Sequence, residues 1–220
     1  MNPKSIVKEV GSITQKVISL GLSMDQNFPQ IKQNQNGTEV VGWGGDITNI
    51  SIALKNVSYG DIYNELERSR LFNFKFIDGG LVQIMYTFDN EGLLSHRLAF
   101  FPSHNLESYQ NDPEIYIKED LYADILSKSI VPVPIRFDFN RSDELHINVE
   151  HAKSHVTFGQ YKNCRIPVLG PLSPSSFIDF LLRNFYSTIH KTFSINLDSD
   201  IKFDRTITTA EEKILHLNMA

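Results

Sequence analysis

The sequence lacks several features that would point directly to a function. It has a single cysteine, so an internal disulfide is excluded and no oxidising compartment is required. No apolar run approaches the ~18 residues of a membrane-spanning helix. The motifs GxGxxG and GxxxxGK are absent, so neither a dinucleotide site nor a P-loop is expected. No cofactor is predicted.

Positive charge is also scarce. The net charge is −5, and the sequence contains no run of Lys and Arg residues. Binding of a long nucleic acid would therefore need a basic patch assembled by the fold. The N-terminal apolar residues are separated by Lys8, Glu9 and Lys16, unlike the core of a signal peptide. We expect a cytoplasmic protein that does not contact a membrane.

The patterning divides the chain into three parts. Residues 1–24 are predicted to hold an N-terminal helix, because apolar residues recur every three or four positions over 4–22. Residues 25–37 are rich in Gln and Asn and are interpreted as a polar loop. Residues 38–220 are predicted to form one α+β domain. The loop could separate the first helix from this domain or let the helix pack back on it.

From residue 39 the apolar period changes to two, which predicts strands. "FNFKFI", "LVQIMYTF" and "LLSHRLAFF" are joined by short turn signals and predict an antiparallel meander. Further strands are predicted at "NISIALKNV", "VPVPIRFDF", "ELHINVE" and "CRIPV", and helices at 58–70 and from Asp112. The predicted fold class is α+β, an antiparallel sheet of about six or seven strands with helices packed on one face.

Residues 173–193 carry the clearest helical pattern. Ser173 is a suitable N-cap and Pro174 a suitable first residue. Large apolar side chains then recur at intervals of four, so this helix should lie across the sheet. They are Phe177, Leu181, Phe185, Ile189 and Phe193.

Three histidines, His146, His151 and His155, lie close together in the sequence. Residues four apart on a strand share a face but are separated by about 13 Å. His151 and His155 can meet only if the chain turns between them, and Cys164 offers a single thiolate. We therefore predict no tightly bound metal.

The segment "RFDF" puts Arg136 and Asp138 on one face of a strand. If "ELHINVE" is its hairpin partner, His146 joins them. Such a polar face is either a solvated sheet surface or the floor of a cleft.

Arg165 precedes the helix at 173–193 by a short distance. An anion pocket at the start of that helix would use its free N–H groups, Arg165 and Ser173, with His151 and His155 along the approach. The alternative is a structural turn in which the Ser173 hydroxyl satisfies those donors itself.

The sequence from about residue 130 to 186 resembles a family of uncharacterised bacterial proteins, a domain of unknown function. The resemblance rests on "SHVTFGQYKNCRIP" followed by "PLSPSSFIDFLLRNFY", and it extends over most of the chain. It implies a bacterial cytoplasmic protein but supplies no activity and no catalytic residues. Proteins of this kind often occur beside phage-defence or toxin–antitoxin genes.

Two functional hypotheses follow. In the first, the protein acts on nucleotide or nucleic-acid phosphates: His151 and His155 serve as general base and acid, Arg136 and Arg165 bind phosphate, and Asp138 orients a histidine. In the second, it is a non-catalytic accessory or antitoxin-like subunit with a protein partner in a phage-defence complex. Convergence of these side chains in one pocket would favour the first hypothesis, and scattering over a sheet face the second.

Overall fold

A computed structural model describes residues 2–44, 57–104, 132–161, 163–193 and 195–219. The strand predicted from "NISIALKNV" and the helix predicted to begin at Asp112 fall in the gaps between these ranges, outside the described residues. Within the ranges, no helix has the length and apolar character needed to cross a bilayer.

The described strands form one antiparallel sheet of nine strands, two or three more than the sequence predicts. Seven follow the order β1-β4-β5-β6-β7-β8-β9, while β3 pairs with β5 and β2 with β3. The strands are β1 (Ser23–Gln26), β2 (Pro29–Gln33), β3 (Glu39–Trp43), β4 (Phe74–Phe76), β5 (Leu81–Asp89), β6 (Gly92–Phe101), β7 (Ile135–Asn140), β8 (Ser154–Phe158) and β9 (Ile166–Pro167).

Four α-helices accompany the sheet in the described ranges, which confirms the predicted α+β class. They are α1 (Pro3–Ser19), α2 (Tyr59–Arg68), α3 (Pro174–Phe185) and α4 (Ser187–Thr192).

The predicted meander is β4, β5 and β6. The turn between β4 and β5 needs glycine, since Gly79 has a φ of +87° and a Cβ there would lie 2.9 Å from the Ser103 Cβ. Asp78 Oδ1 accepts a hydrogen bond from Gly80 N at 3.0 Å across the same turn. The turn chemistry therefore helps to set the register of β4 against β5.

Strand alternation separates two apolar clusters. The main core packs α1, α3 and α4 against one face of the sheet, represented on β5 by Val82 and Ile84. The helix α2 packs with Leu81, Ala99 and Phe101, which point to the reverse face. The reverse face therefore has a covered part under α2 and, beyond it, a polar part on β6–β8.

The N-terminal segment differs from its prediction. Two short strands, β1 and β2, lie in or across residues 25–37, which the sequence pattern indicates as a loop. Neither strand contains a fully buried residue, and both pair at the border of the sheet, so burial did not impose an alternating apolar pattern on them. The helix α1 packs into the main core rather than standing apart.

The strand predicted at "ELHINVE" is wrong. Residues Asp143–Leu145 form a 3₁₀ turn capped by Ser142, and residues 147–151 form a tight turn closed by the Ile147–His151 bridge. Leu145 and Ile147 are both more than half exposed, so their alternation faces no core. The hairpin partner of β7 is β8 instead.

The helix predicted at 173–193 is two helices with a break at Tyr186, whose φ of −134° is not helical. The Tyr186 side chain is fully buried, and its hydroxyl donates to the Asp78 carboxylate, 3.0 Å from each oxygen. The apolar face persists through the break, since Leu181 and Ile189 are both 0% exposed.

The first turn of α3 is capped by the protein itself. Ser176 N donates to the Ser173 hydroxyl at 3.0 Å, and Ser175 N donates to the Glu9 Oε1 atom at 2.9 Å. The carboxylate of Glu9, on α1, thus occupies the position that a bound anion would take. Glu9 also accepts from the Ser199 hydroxyl at 2.9 Å and so joins three distant segments.

Replacement of Glu9 by alanine is expected to lower the free energy of unfolding by about 1–3 kcal/mol, because the buried N–H of Ser175 loses its acceptor. Urea unfolding of Glu9→Ala beside Lys8→Ala, an exposed residue of the same helix, measures the difference. Equal midpoints for the two variants would contradict the capping role.

Candidate functional site

A cleft of about 550 Å³ lies over the polar part of the reverse face, on β6, β7, β8 and the turn between β7 and β8. Six of the seven side chains proposed from the sequence line it, and Ser173 does not. The six are Arg136, Asp138, His146, His151, His155 and Arg165.

The floor of the cleft is a row of side chains across three strands. Arg97 on β6 is the register partner of Asp138 on β7, and Asp138 is the partner of His155 on β8. Register partners in an antiparallel sheet project from the same face, so the three side chains are neighbours. Arg136 joins the row because it lies two residues from Asp138 on the same strand.

Asp138 is the central acceptor of this row. Arg97 Nε donates to its Oδ1 at 3.1 Å, and Arg136 Nε donates to its Oδ2. Burial acts to raise the pKa of Asp138, but the guanidinium groups of Arg136 and Arg97 outweigh it and hold the pKa below its usual range. Asp138 is therefore ionised at neutral pH and fixes both guanidinium groups.

His155 is a buried imidazole, 5% exposed, with a defined tautomer. Its Nδ1 atom lies 2.9 Å from the Ala152 carbonyl oxygen. A carbonyl oxygen can only accept, so Nδ1 carries the proton and Nε2 of the neutral ring holds a lone pair. Burial lowers the pKa of His155 and outweighs the hydrogen bond to Ala152 and the negative charge of Asp138, which act to raise it. At neutral pH the ring is thus a base.

His151 lies beside His155, with ring centroids 5.0 Å apart and the rings edge to face. The two meet because the chain bends between the 147–151 turn and β8, which is the condition set by their spacing. Burial lowers the pKa of His151, and the positive charge of Arg165 adds to this. Within the described ranges, no group of three or more His, Cys, Asp or Glu side chains is placed to hold a metal.

His146 has a partner that anchors the cleft wall. Its Nε2 atom lies 3.0 Å from Oε1 of Glu211, whose side chain is completely buried. Thr208 N also donates to Glu211, at 2.8 Å. Burial acts to raise the pKa of Glu211, but the hydrogen bonds from the Thr208 backbone and His146 outweigh it and lower the pKa. His146 therefore ties the wall to the C-terminal segment.

The cleft concentrates positive charge in an acidic protein. Among the described residues, four cationic side chains and one carboxylate, that of Asp138, line it. Lys153 Nζ pairs with the exposed Asp143 at 2.6 Å, whereas Arg165 pairs with no carboxylate in the part of the chain that the structure describes. The cations are Arg97, Arg136, Lys153 and Arg165.

Sequence reasoning missed three residues of this site. Arg97 is readable from the alternation in "LLSHRLAFF" once β6 is paired with β7. No periodic pattern in the sequence identifies Lys153 or Glu211 as site residues. Lys153 is positioned by a turn, and Glu211 lies in the irregular C-terminal segment.

The start of α3 is separate from the cleft. Ser173 holds the Ser176 amide and Glu9 holds the Ser175 amide, while Arg165 lines the cleft instead. The anion pocket at this helix end stays a prediction, and in the structure the two amides that it would use donate to side chains of the chain itself.

Comparison with known proteins places the chain in a family. No curated protein and no solved structure matches it. A family model described as an uncharacterized conserved protein, DUF2290, matches residues 22–219, well beyond the 130–186 segment that carries the resemblance. The chain therefore belongs to the DUF2290 family of uncharacterized conserved proteins.

Proposed function

We propose that the cleft binds the phosphate groups of a nucleotide or nucleic acid and hydrolyses a phosphodiester bond. The observation that carries the proposal is the meeting of four cations and two adjacent imidazoles in one cleft of a protein with net charge −5. Such a local excess of positive charge favours an anionic ligand. Guanidinium groups suit phosphate because they offer paired donors in one plane.

Arg165 is the leading phosphate ligand of the site. It lines the cleft without an ion-pair partner among the described residues, whereas Arg97 and Arg136 share Asp138. A bound phosphate would supply the missing countercharge. Positive groups held in place before the reaction also stabilise the charge that develops on the phosphoryl oxygens.

The histidine pair supplies acid–base chemistry. Nε2 of His155 takes a proton from the attacking water as the new P–O bond forms. The P–O bond to the leaving oxygen breaks, and His151 in its protonated form gives that oxygen a proton. The products are one phosphomonoester and one alcohol, and proton exchange with solvent returns both rings to their starting states.

The alternative is a non-catalytic accessory subunit with a protein partner. That hypothesis predicts polar side chains scattered over a sheet face. The convergence of Asp138, His151, His155 and Arg165 favours the enzyme instead.

A binding titration tests the proposal. Inorganic phosphate and uridine monophosphate are titrated into wild type, Arg165→Ala and the control Arg205→Ala, whose arginine pairs with Glu212 outside the cleft. Wild type and the control should bind both ligands, and Arg165→Ala should bind them about tenfold more weakly or worse. Absence of binding to wild type, or equal binding by Arg165→Ala, would refute a phosphate site in this cleft.

A further inference from the structure

We infer that the substrate is a short single-stranded oligonucleotide bound through two successive phosphates, one on each side of His155. This inference rests on the proposed function and specifies its substrate class.

The cations of the cleft form two groups rather than one. Arg97 and Arg136 lie on β6 and β7, on one side of His155. Arg165 lies on the other side, directly before β9, whose Pro167 is the register partner of His155. Since neighbouring strands are about 4.8 Å apart, the two groups flank the imidazole across the sheet.

Each group keeps donors for a phosphate. Arg97 and Arg136 both use their Nε atoms on Asp138. Their terminal guanidinium nitrogens make no hydrogen bond within the described ranges, and Arg165 makes no side-chain hydrogen bond there. A nucleoside monophosphate held by Arg165 would leave the terminal nitrogens of Arg97 and Arg136 without an acceptor, since Asp138 engages only their Nε atoms. A dinucleotide with a 5′-phosphate would engage both.

The rest of the molecule limits the length of the ligand. The cleft volume of about 550 Å³ lies in the range of small-ligand sites. Because the whole protein carries a net charge of −5, the surface outside the cleft repels a long polyanion. A dinucleotide satisfies both limits.

The test compares three ligands that differ in charge. They are uridine monophosphate, the 5′-phosphorylated dinucleotide pUpU, and the same dinucleotide with a neutral methylphosphonate linkage. All titrations use His155→Ala protein so that turnover does not consume the ligand. A second protein carries Arg97→Ala in addition to His155→Ala. The control protein carries Arg141→Ala in addition to His155→Ala, because Arg141 pairs with Asp89 and Glu91 outside the cleft.

We expect pUpU to bind about tenfold more tightly than uridine monophosphate, with a steeper loss of affinity as salt rises. The methylphosphonate ligand should bind like the monophosphate. Arg97→Ala should remove the gain, and Arg141→Ala should preserve it.

The outcomes separate this inference from the function on which it rests. If pUpU and uridine monophosphate bind equally, the two-phosphate inference is overturned and the phosphate site stands. If the methylphosphonate ligand binds as well as pUpU, the gain comes from the second nucleoside and the inference is also overturned. If none of the ligands binds, the proposed function fails with it.

Discussion

Hydrolysis of bis(p-nitrophenyl) phosphate or of pUpU is expected to fall by about 10²–10⁴-fold when His155 is replaced by alanine. The reason is that Nδ1 of His155 is committed to the Ala152 carbonyl, which leaves Nε2 as the proton acceptor. With bis(p-nitrophenyl) phosphate, the rate is measured as the absorbance of released p-nitrophenolate after the samples are brought to alkaline pH. With pUpU, it is measured by chromatographic separation of the products. His104→Ala is the matched control, because His104 is an exposed histidine outside the cleft.

The same reaction should have a characteristic pH dependence. Catalysis needs His155 neutral and His151 protonated, and both pKa values lie below the usual 6.5, first because of burial. The rate should therefore fall at low pH as His155 gains a proton and fall at higher pH as His151 loses one. The maximum is expected below pH 6.5.

Two results would contradict this assignment. Retention of the wild-type rate by His155→Ala would show that another group removes the proton. A rate that still rises between pH 7 and pH 9 would exclude both imidazoles as the titrating groups, since their pKa values are lowered rather than raised.

The largest effect on stability is expected at Leu181. Its side chain is 0% exposed in the main core, on the face of α3 that lies against the sheet. Leu181→Ala should lower the free energy of unfolding by about 2–5 kcal/mol, because truncation removes buried methyl groups and leaves a cavity. Urea unfolding followed by circular dichroism measures the loss.

Arg183→Ala serves as the control for this experiment. Arg183 lies on the same helix with an exposed side chain, paired with Asp179 at 2.5 Å. Surface pairs of this kind contribute little, so a loss below about 1 kcal/mol is expected. A similarly small loss for Leu181→Ala would show that α3 contributes little to the core and would overturn its role as a main support of the fold.

Much of the fold followed from local patterns. The turn residues at Asp78–Gly80 and the period of two predicted the β4–β6 meander, and the i, i+4 apolar residues predicted α3. Prediction from apolar periodicity failed in segments whose side chains do not face a core. Leu145 and Ile147 alternate with polar residues but are exposed in a turn, and β1 and β2 lie in a segment with too few apolar residues to show a period.

One part of the candidate site could likewise be predicted from the sequence, and another part could not. The alternation within "RFDF" by itself determined that Arg136 and Asp138 share a face, because neighbouring positions on a strand point to opposite sides. Only the tertiary structure decided their neighbours. The pairing of β6 with β7 brought Arg97 to Asp138 across 41 residues, and a turn brought the rings of His151 and His155 to 5.0 Å.

Long-range contacts also decided which groups remain available to a ligand. The amides at the start of α3 suggested an anion site, yet Glu9, 166 residues away from Ser175, occupies one of them. His146 is tied to Glu211, 65 residues further along the chain. The sequence determined which polar groups exist and which side of their own strand they face. Whether each group meets a partner from the same chain or opens to the cleft depended on how distant segments pack.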